Sequence, residues 1–572
     1  MVKTRAKYKN ERFPDETGAI HKNWAGRLKI ALVYPNTYYL GMSNLGFQAV
    51  YLQFNDLDHV VCERAFLPDD KNSNKIITIE SRHLISDFDI IAFSISFESD
   101  YLNILKIFDT AQIPCKSSDR NNNHPLVIAG GAACFINPEP VAEFIDCFIL
   151  GESEPVLKTF INHFNPGKDR KQMLKSMARS IPGVYVPEFY QVIYNLDQTI
   201  KKYLPLHNVP EKVDRLFIKD LSHAGTCSGI LTPDTTFSQT CLIEVGRGCA
   251  HGCRFCSAGF IYRPPRFRPL GLLKECIKTG STITDRIGLV GAAVSDLPGI
   301  NELCSDFNNQ NLRMSFSSLR ADALGPELLE TLKKTKVKTA TIAPDAGSER
   351  MRKVINKGIT EQEILEAAES LVASNIPNIK LYFMIGLPTE TPDDILEIID
   401  LCKKIKNSFL ESSRKKGKIG EITVSLNSFV PKPVTPFQWT PMEETGELKK
   451  KIKQIKGGLK KIANLRFNHD VPGHAYIQAL LSRGDRKVSQ ILSMAHKNKG
   501  NWAKTLKESP INPDFYISRE RGSDEVFPWD FINHRIDKSF LRNEYEKALQ
   551  NRTSKPCPMN ESCTLCGVCC KI

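Results

Sequence analysis

Residues 244–264 read EVGRGCAHGCRFCSAGFIYRP and place Cys249, Cys253 and Cys256 in a C-x-x-x-C-x-x-C run. Zinc sites use two cysteine pairs, or a pair with histidines, and this run shows neither. A protein-held [4Fe–4S] cluster takes four thiolates. Three in one loop leave one iron open, able to chelate a small molecule through an amino group and a carboxylate. Phe255 offers a nucleobase an aromatic face, and Gly248 and Gly252 let the backbone fold tightly round a cluster. A zinc knuckle or chance packing is the competing reading. Spacing, aromatic neighbour and preceding strand together speak against it.

A second group of thiols lies in KPCPMNESCTLCGVCCKI, as Cys557, Cys563, Cys566, Cys569 and Cys570. The C-x-x-C-G-V-C portion resembles bacterial ferredoxin ligation. Soft thiolates suit an auxiliary Fe–S cluster first and zinc second. An unligated tail with five exposed thiols would be an oxidation liability. Other cysteines, such as Cys134 and Cys402, read as packing residues.

These clusters need elements to position them. Over 1–165, LKIALVYP, DFDIIAFSIS, PLVIAGGAA and EFIDCFIL are apolar runs alternating with helical text. That pattern predicts α/β architecture, a Rossmann-like doubly wound domain with ligands at the strands' carboxyl ends. Residues 166–237 read as a connector. Over 238–440, six runs, from CLIEV to EITVSLNSFVP, alternate with helical text and predict a partial (β/α)6 barrel. The cysteine run falls just after its first strand. Residues 441–555 read as a mainly helical C-terminal region, and 556–572 as a Cys-rich metal-binding tail.

The chain has 572 residues, 17 cysteines and a formal net charge of +13. No apolar run reaches the roughly 18 residues of a membrane span, and MVKTRAKYKNERFPDETG lacks the apolar stretch of a secretory signal. A cytoplasmic protein with reduced thiols and no membrane partner is expected. The basic balance admits RNA, although runs such as LKKKIKQIKGGLKK read as solvated helix faces. In YRPPRFRP, Arg263, Arg266 and Arg268 with Tyr262 and Phe267 can contact phosphates and stack bases, or cap the barrel. The capping role is favoured.

C-A-H-G-C-R-F-C at the end of a barrel's first strand resembles the signature of the radical S-adenosylmethionine (SAM) superfamily. That resemblance implies SAM on the open iron and its reductive cleavage to a 5′-deoxyadenosyl radical. It also implies SAM contacts beyond Phe255. VGAAVSDLP puts Gly291, Ala292 and Ala293 where relatives carry a G-G-E-like turn; with no glutamate, backbone carbonyls would serve. PDAGS puts Asp345 where many relatives have the glutamate of E-S-G-S. IGLPTET supplies Gly386, Pro388 and Glu390 near the adenine. SFSSLRAD supplies Ser318 and Arg320, the latter a partner for a carboxylate of SAM or substrate.

The N-terminal text resembles the cobalamin-binding-like domain that precedes many radical SAM cores. YPNTYYLGMSNLG, GRGCAHGCRFCSAGFIYRPPR, INKGIT, FVPKPVTPFQW and LLSRGDRKV together resemble a widespread, uncharacterised bacterial family fusing the two. D-x-H-x-x-G is absent, so the reading favours no cobalamin. Binding without a histidine ligand, another ligand, or a structural role are the alternatives. The resemblance implies an enzyme acting on an unspecified substrate, with an electron donor such as flavodoxin or ferredoxin. A methylthio- or methyl-group transferase on RNA or protein is the second reading. A non-catalytic SAM, Fe–S or electron-transfer module is the third.

Overall fold

The computed structural model describes residues 15–70, 73–223, 225–307, 311–414, 419–560 and 562–571. In the N-terminal part, β1 (Leu28–Tyr34), β2 (Val60–Phe66), β3 (Ile90–Ser94), β4 (Leu126–Gly130) and β5 (Cys147–Ile149) form a parallel sheet in the order β2-β1-β3-β4-β5. Such strands are covered on both faces, which explains their continuous apolar text. All seven residues of β2 are buried, including Arg64, whose charge is met by Glu16 at 2.7 Å and Glu80 at 2.6 Å. The chain order reverses between β1 and β3, so a ligand site is expected at their carboxyl ends. β6 (Val184–Tyr185) then joins β5 in antiparallel pairing, inside the segment read from sequence as a connector.

The second α/β unit contains all six expected strands. β7 (Cys241–Glu244), β8 (Arg286–Val290) and β9 (Arg313–Phe316) form one parallel sheet. β10 (Thr339–Asp345), β11 (Asn378–Ile385) and β12 (Ile422–Ser428) belong to another. β13 (Leu465–His469) extends that second sheet, pairing parallel with β12 in a region expected to be helical. In LRFNH only Leu465 and Phe467 are apolar, so no apolar run announces it; its backbone ladder makes it a strand. The core thus has the expected parallel β/α alternation, with seven strands in two sheets of three and four.

The C-terminal helices bind the two units together. Asn137 donates to the carbonyls of Ser482 and Gly484 at 3.0 and 2.8 Å. Lys432 meets the buried Glu98 at 2.7 Å, and Arg486 meets the fully buried Glu139 at 3.2 Å. The lysine-rich helix Thr445–Leu459 buries Leu448, Ile452, Ile455 and Leu459 and turns most of its lysines outward. Among the described residues, no helix is long and apolar enough to cross a membrane.

Candidate functional site

The cysteine loop leaves β7 and is closed at its base by pairing of Gly246 and Arg247 with Phe267 and Arg266. Gly248 (φ 85°) and Gly252 (φ 67°) take left-handed turns inside it. A Cβ on Gly248 would stand 2.9 Å from the Tyr262 carbonyl oxygen. Cys253 is buried, Cys249 and Cys256 are partly so, and Phe255 is half-buried against the core. Burial pushes the Cys253 thiol up to about 12, Lys357 opposes this, and Cys256, Asp345 and Cys249 add to it. Burial also raises Cys249 and Cys256, countered by backbone N–H groups of His251 for the first and of Ala258 and Gly259 for the second. Three thiols within one another's field, with N–H donors at sulfur, are a donor set suited to an Fe–S cluster. Among the described residues, no three Cys, His, Asp or Glu side chains close in enough to share a single ion.

Residues between the cysteines lock the loop. Arg254 is fully buried. Its guanidinium donates to the carbonyls of Lys353, Val354 and Arg552 at 3.1, 2.9 and 2.8 Å, and reaches Glu544 at 3.1 Å. Asn356 donates to the His251 and Gly252 carbonyls at 3.2 and 3.4 Å. His251 pairs with Asp296 at 2.5 Å. None of these partners is foreseeable from sequence, because each is reached over 45 to 298 positions.

The basic stretch after the loop is structural. Arg263, Arg266 and Arg268 are buried. Arg266 meets Glu152 at 2.7 Å, and Arg268 meets Glu244 at 2.6 Å. Arg247 reaches Glu152, Glu154 and Glu244 at 2.9, 2.6 and 3.0 Å. Burial raises the Glu152 carboxyl, but hydrogen bonds and charge from Arg266, then charge from Arg247, outweigh it and hold it below its ordinary value. Guanidinium groups committed in this way are not presented to phosphates.

The expected SAM contacts fall into two groups. Gly291 and Ala292 follow β8; Ala292 is exposed and Ala293 is buried. The Gly291 carbonyl accepts from Ser317 at 3.0 Å and Ser318 at 2.9 Å, so Ser318 fastens this turn. Asp345, at φ 62° on the end of β10, pairs with Lys357 at 2.5 Å beside the cysteines. Lys357, from INKGIT, is a site residue that sequence reading left without a role. Arg320 makes two 2.9 Å bonds to Asp322 and also approaches the Lys357 carbonyl at 3.3 Å. The β11 turn is further tied down: Glu390 accepts from the Gly386 N–H at 2.8 Å and from Lys451 at 2.7 Å, with Pro388 half-buried between.

A cavity of about 670 Å³ lies where the carboxyl ends of both units meet. Ser96, Phe97, Gly131 and Phe135 line it from the N-terminal unit, and Gly248, Tyr262, Gly291 and Ala292 from the core. The walls are chiefly apolar and the loop carrying the cysteines forms one edge. A polar cleft of about 770 Å³ around Arg120, Asp146 and Arg170 is lined by no residue of the cysteine loop and stands apart from this chemistry.

Comparison with known proteins agrees with the geometry. Residues 46–187 match the N-terminal region of radical SAM proteins, and 243–402 match the radical SAM superfamily. An uncharacterized protein of Methanocaldococcus jannaschii is 33% identical over 497 residues, covering 86% of this chain and 96% of its own. The ribosomal protein uS12 methylthiotransferase of Clostridioides difficile is 23% identical over 253 residues, covering 41% of this chain and 53% of its own. A solved cobalamin-dependent SAM radical enzyme, OxsB, with aqua-cobalamin and SAM bound, is 15% identical with a TM-score of 0.47, covering 91% of this chain and 79% of that one. This chain belongs to the radical SAM superfamily and is an enzyme. The family implies a [4Fe–4S] cluster and SAM, and the Cys249–Cys256 loop has the donors to hold the cluster.

Proposed function

We propose that the protein cleaves SAM reductively and turns the resulting radical on a substrate held in the cavity between its two α/β units. The observation that carries this is the placement of the three-cysteine loop at the carboxyl end of β7, on the edge of that cavity. When bound by Cys249, Cys253 and Cys256, the cluster supplies the electron and open iron at which SAM yields methionine and a 5′-deoxyadenosyl radical. The chain's own work is positioning and shielding. Phe97 and Phe135 contribute rings without weak O–H or S–H bonds to the cavity wall. The Gly291–Ala293 turn, Phe255, Ser318, Arg320, Asp345, Gly386 and Pro388 are the proposed surroundings of SAM. In this proposal Asp345 and Lys357 set the charge beside it.

The electron comes from a flavodoxin- or ferredoxin-class donor in a reducing, cytoplasmic compartment; the thiols, all unpaired, accord with that setting. None of the cavity-lining residues is a histidine, which favours a reading without histidine-ligated cobalamin. The uS12 methylthiotransferase relative supports a second reading, methyl or methylthio transfer to protein or RNA. The buried Arg263, Arg266 and Arg268 weaken its RNA form, since they leave no phosphate contacts in that stretch. Anaerobic reconstitution, dithionite and chromatography test the proposal: the native chain forms 5′-deoxyadenosine and Cys253→Ala does not. Equal product from the variant would sink it. Hydroxocobalamin and candidate RNA, added separately, sort the two readings.

A further inference from the structure

The cysteine tail is built into the protein rather than trailing from it. Cys563 and Cys566 are buried, Cys557 and Cys569 partly so, and Cys570 is exposed. Val568 between them is fully buried. Gly567 turns at φ 79° directly against Asp537, whose N–H donates to the Cys566 carbonyl at 3.0 Å. Upstream, the Cys557 N–H donates to the carbonyl of Ala250, inside the first cysteine loop, at 2.7 Å. The Ser554 N–H donates at 2.8 Å to Asn356, which holds the same loop. The tail is therefore packed on the loop that carries Cys249, Cys253 and Cys256.

The five thiols are not equivalent. After burial and a countering N–H from Met559, the Cys557 thiol feels Arg263, Cys566 and Cys563. After burial, Cys569 feels Cys566, Cys557 and Cys563, with Cys570 last. Cys557, Cys563, Cys566 and Cys569 are the four thiols wholly or partly withdrawn from solvent, in a tail fixed by hydrogen bonds to Ala250, Asn356 and Asp537. Cys570 is exposed and turns its sulfur to the Gly567 carbonyl at 3.3 Å. The inner three follow C-x-x-C-x-x-C, the spacing of ferredoxin ligands, and the fourth arrives from six residues upstream. Zinc ribbons instead pair their ligands across a long separation.

We propose that Cys557, Cys563, Cys566 and Cys569 hold a second Fe–S cluster, that Cys570 is not a ligand, and that this site forms one body with the first cluster's loop. The four-ligand set leaves no open iron, so this site does not bind SAM. The inference stands apart from the cavity reading, because the two cysteine sets can be removed separately.

The test is iron and sulfide content of the full chain after anaerobic reconstitution, with circular dichroism to confirm folding. The native chain carries about eight irons, and Cys249→Ala/Cys253→Ala/Cys256→Ala keeps about four, with four sulfides. Dithionite gives that triple variant a reduced-cluster EPR signal. Adding Cys563→Ala/Cys566→Ala, which leaves two of the four proposed ligands, removes both iron and signal; adding Cys570→Ala removes neither. In the triple variant, Cys569→Ala opens one iron and changes the EPR signal, whereas Cys570→Ala leaves the signal as it was. A folded triple variant without iron overturns the proposal, as does one carrying stoichiometric zinc. A changed signal on Cys570→Ala but not on Cys569→Ala overturns the ligand assignment.

Discussion

Arg254→Met is the sharpest perturbation of the cysteine loop that leaves every thiol in place. The native guanidinium is wholly buried, sits 3.1 Å from Glu544 and satisfies three carbonyls. Methionine fills part of the space and supplies none of the donors. Removing one member of a buried ion pair costs about 3–5 kcal/mol, because the remaining charge is left uncompensated. Lys547 and Ser554, each 2.7 Å from Glu544, soften that penalty. The orphaned carbonyls of Lys353, Val354 and Arg552 add to it, at about 1 kcal/mol each. About 3 kcal/mol of local stability is therefore a fair lower figure, equal to about a hundredfold in an opening equilibrium. Hydrogen exchange reads it directly, since the Arg254 N–H bonds to Ile355 at 3.0 Å and the Cys256 N–H to Cys253 at 3.0 Å. Exchange at residues 253–259 should accelerate about a hundredfold while β1–β4 stay protected. The loss should shrink by about 1–3 kcal/mol when measured in a Glu544→Gln background, the coupling expected of a contacting pair. An acceleration below about tenfold, or full additivity with Glu544→Gln, would refute the view that this pair pins the loop.

Gly248→Ala forces a left-handed residue and a 2.9 Å contact with the Tyr262 carbonyl; it should cost at least about 1–2 kcal/mol and lower iron uptake. Gly271→Ala, in a helix with open space around it, is the tolerated control. Asp100 is raised to about 6, by burial first, with the Asn36 hydrogen bond opposing and Glu98 adding. Its contribution is fully present below its ordinary value of 3.8 and is lost as pH rises through about 6. Urea midpoints should therefore show Asp100→Asn gaining on the native chain between pH 4.5 and 7, and a constant difference would contradict this. Lys432→Met strands the buried Glu98, and the resulting loss of about 3–5 kcal/mol should appear as a lowered urea midpoint. A change under about 1 kcal/mol would deny that pair its role in joining the two units.

Three thiols within eight residues and two tight-turn glycines are local facts, so the cysteine loop after β7 and its turns were legible from sequence. So were strands such as LKIALVY, whose apolar runs reflect burial on both faces. Buried Cys134 and Cys402 likewise behave as the packing residues they resembled. β13 was hidden, because its membership rests on backbone pairing and only Leu465 and Phe467 of its five side chains are apolar. Arg254, the His251–Asp296 pair and the Asp345–Lys357 pair were hidden for another reason. A charged residue shows its partner only once the chain has folded, and these partners are remote or lie across a turn. The same holds for Arg266 and Arg268, whose text fits phosphate binding as well as burial until Glu152 and Glu244 are seen beside them, and for Arg263, which lies over the Phe260 and Phe540 rings.

The most direct test of the open-iron account is electron–nuclear double resonance on the reduced, reconstituted Cys563→Ala/Cys566→Ala chain, using SAM labelled with ¹⁵N at its amino group or ¹⁷O at its carboxylate. The account predicts strong coupling of both labels to the cluster that remains, lost in Cys253→Ala. A fully formed cluster showing coupling to neither label would contradict it.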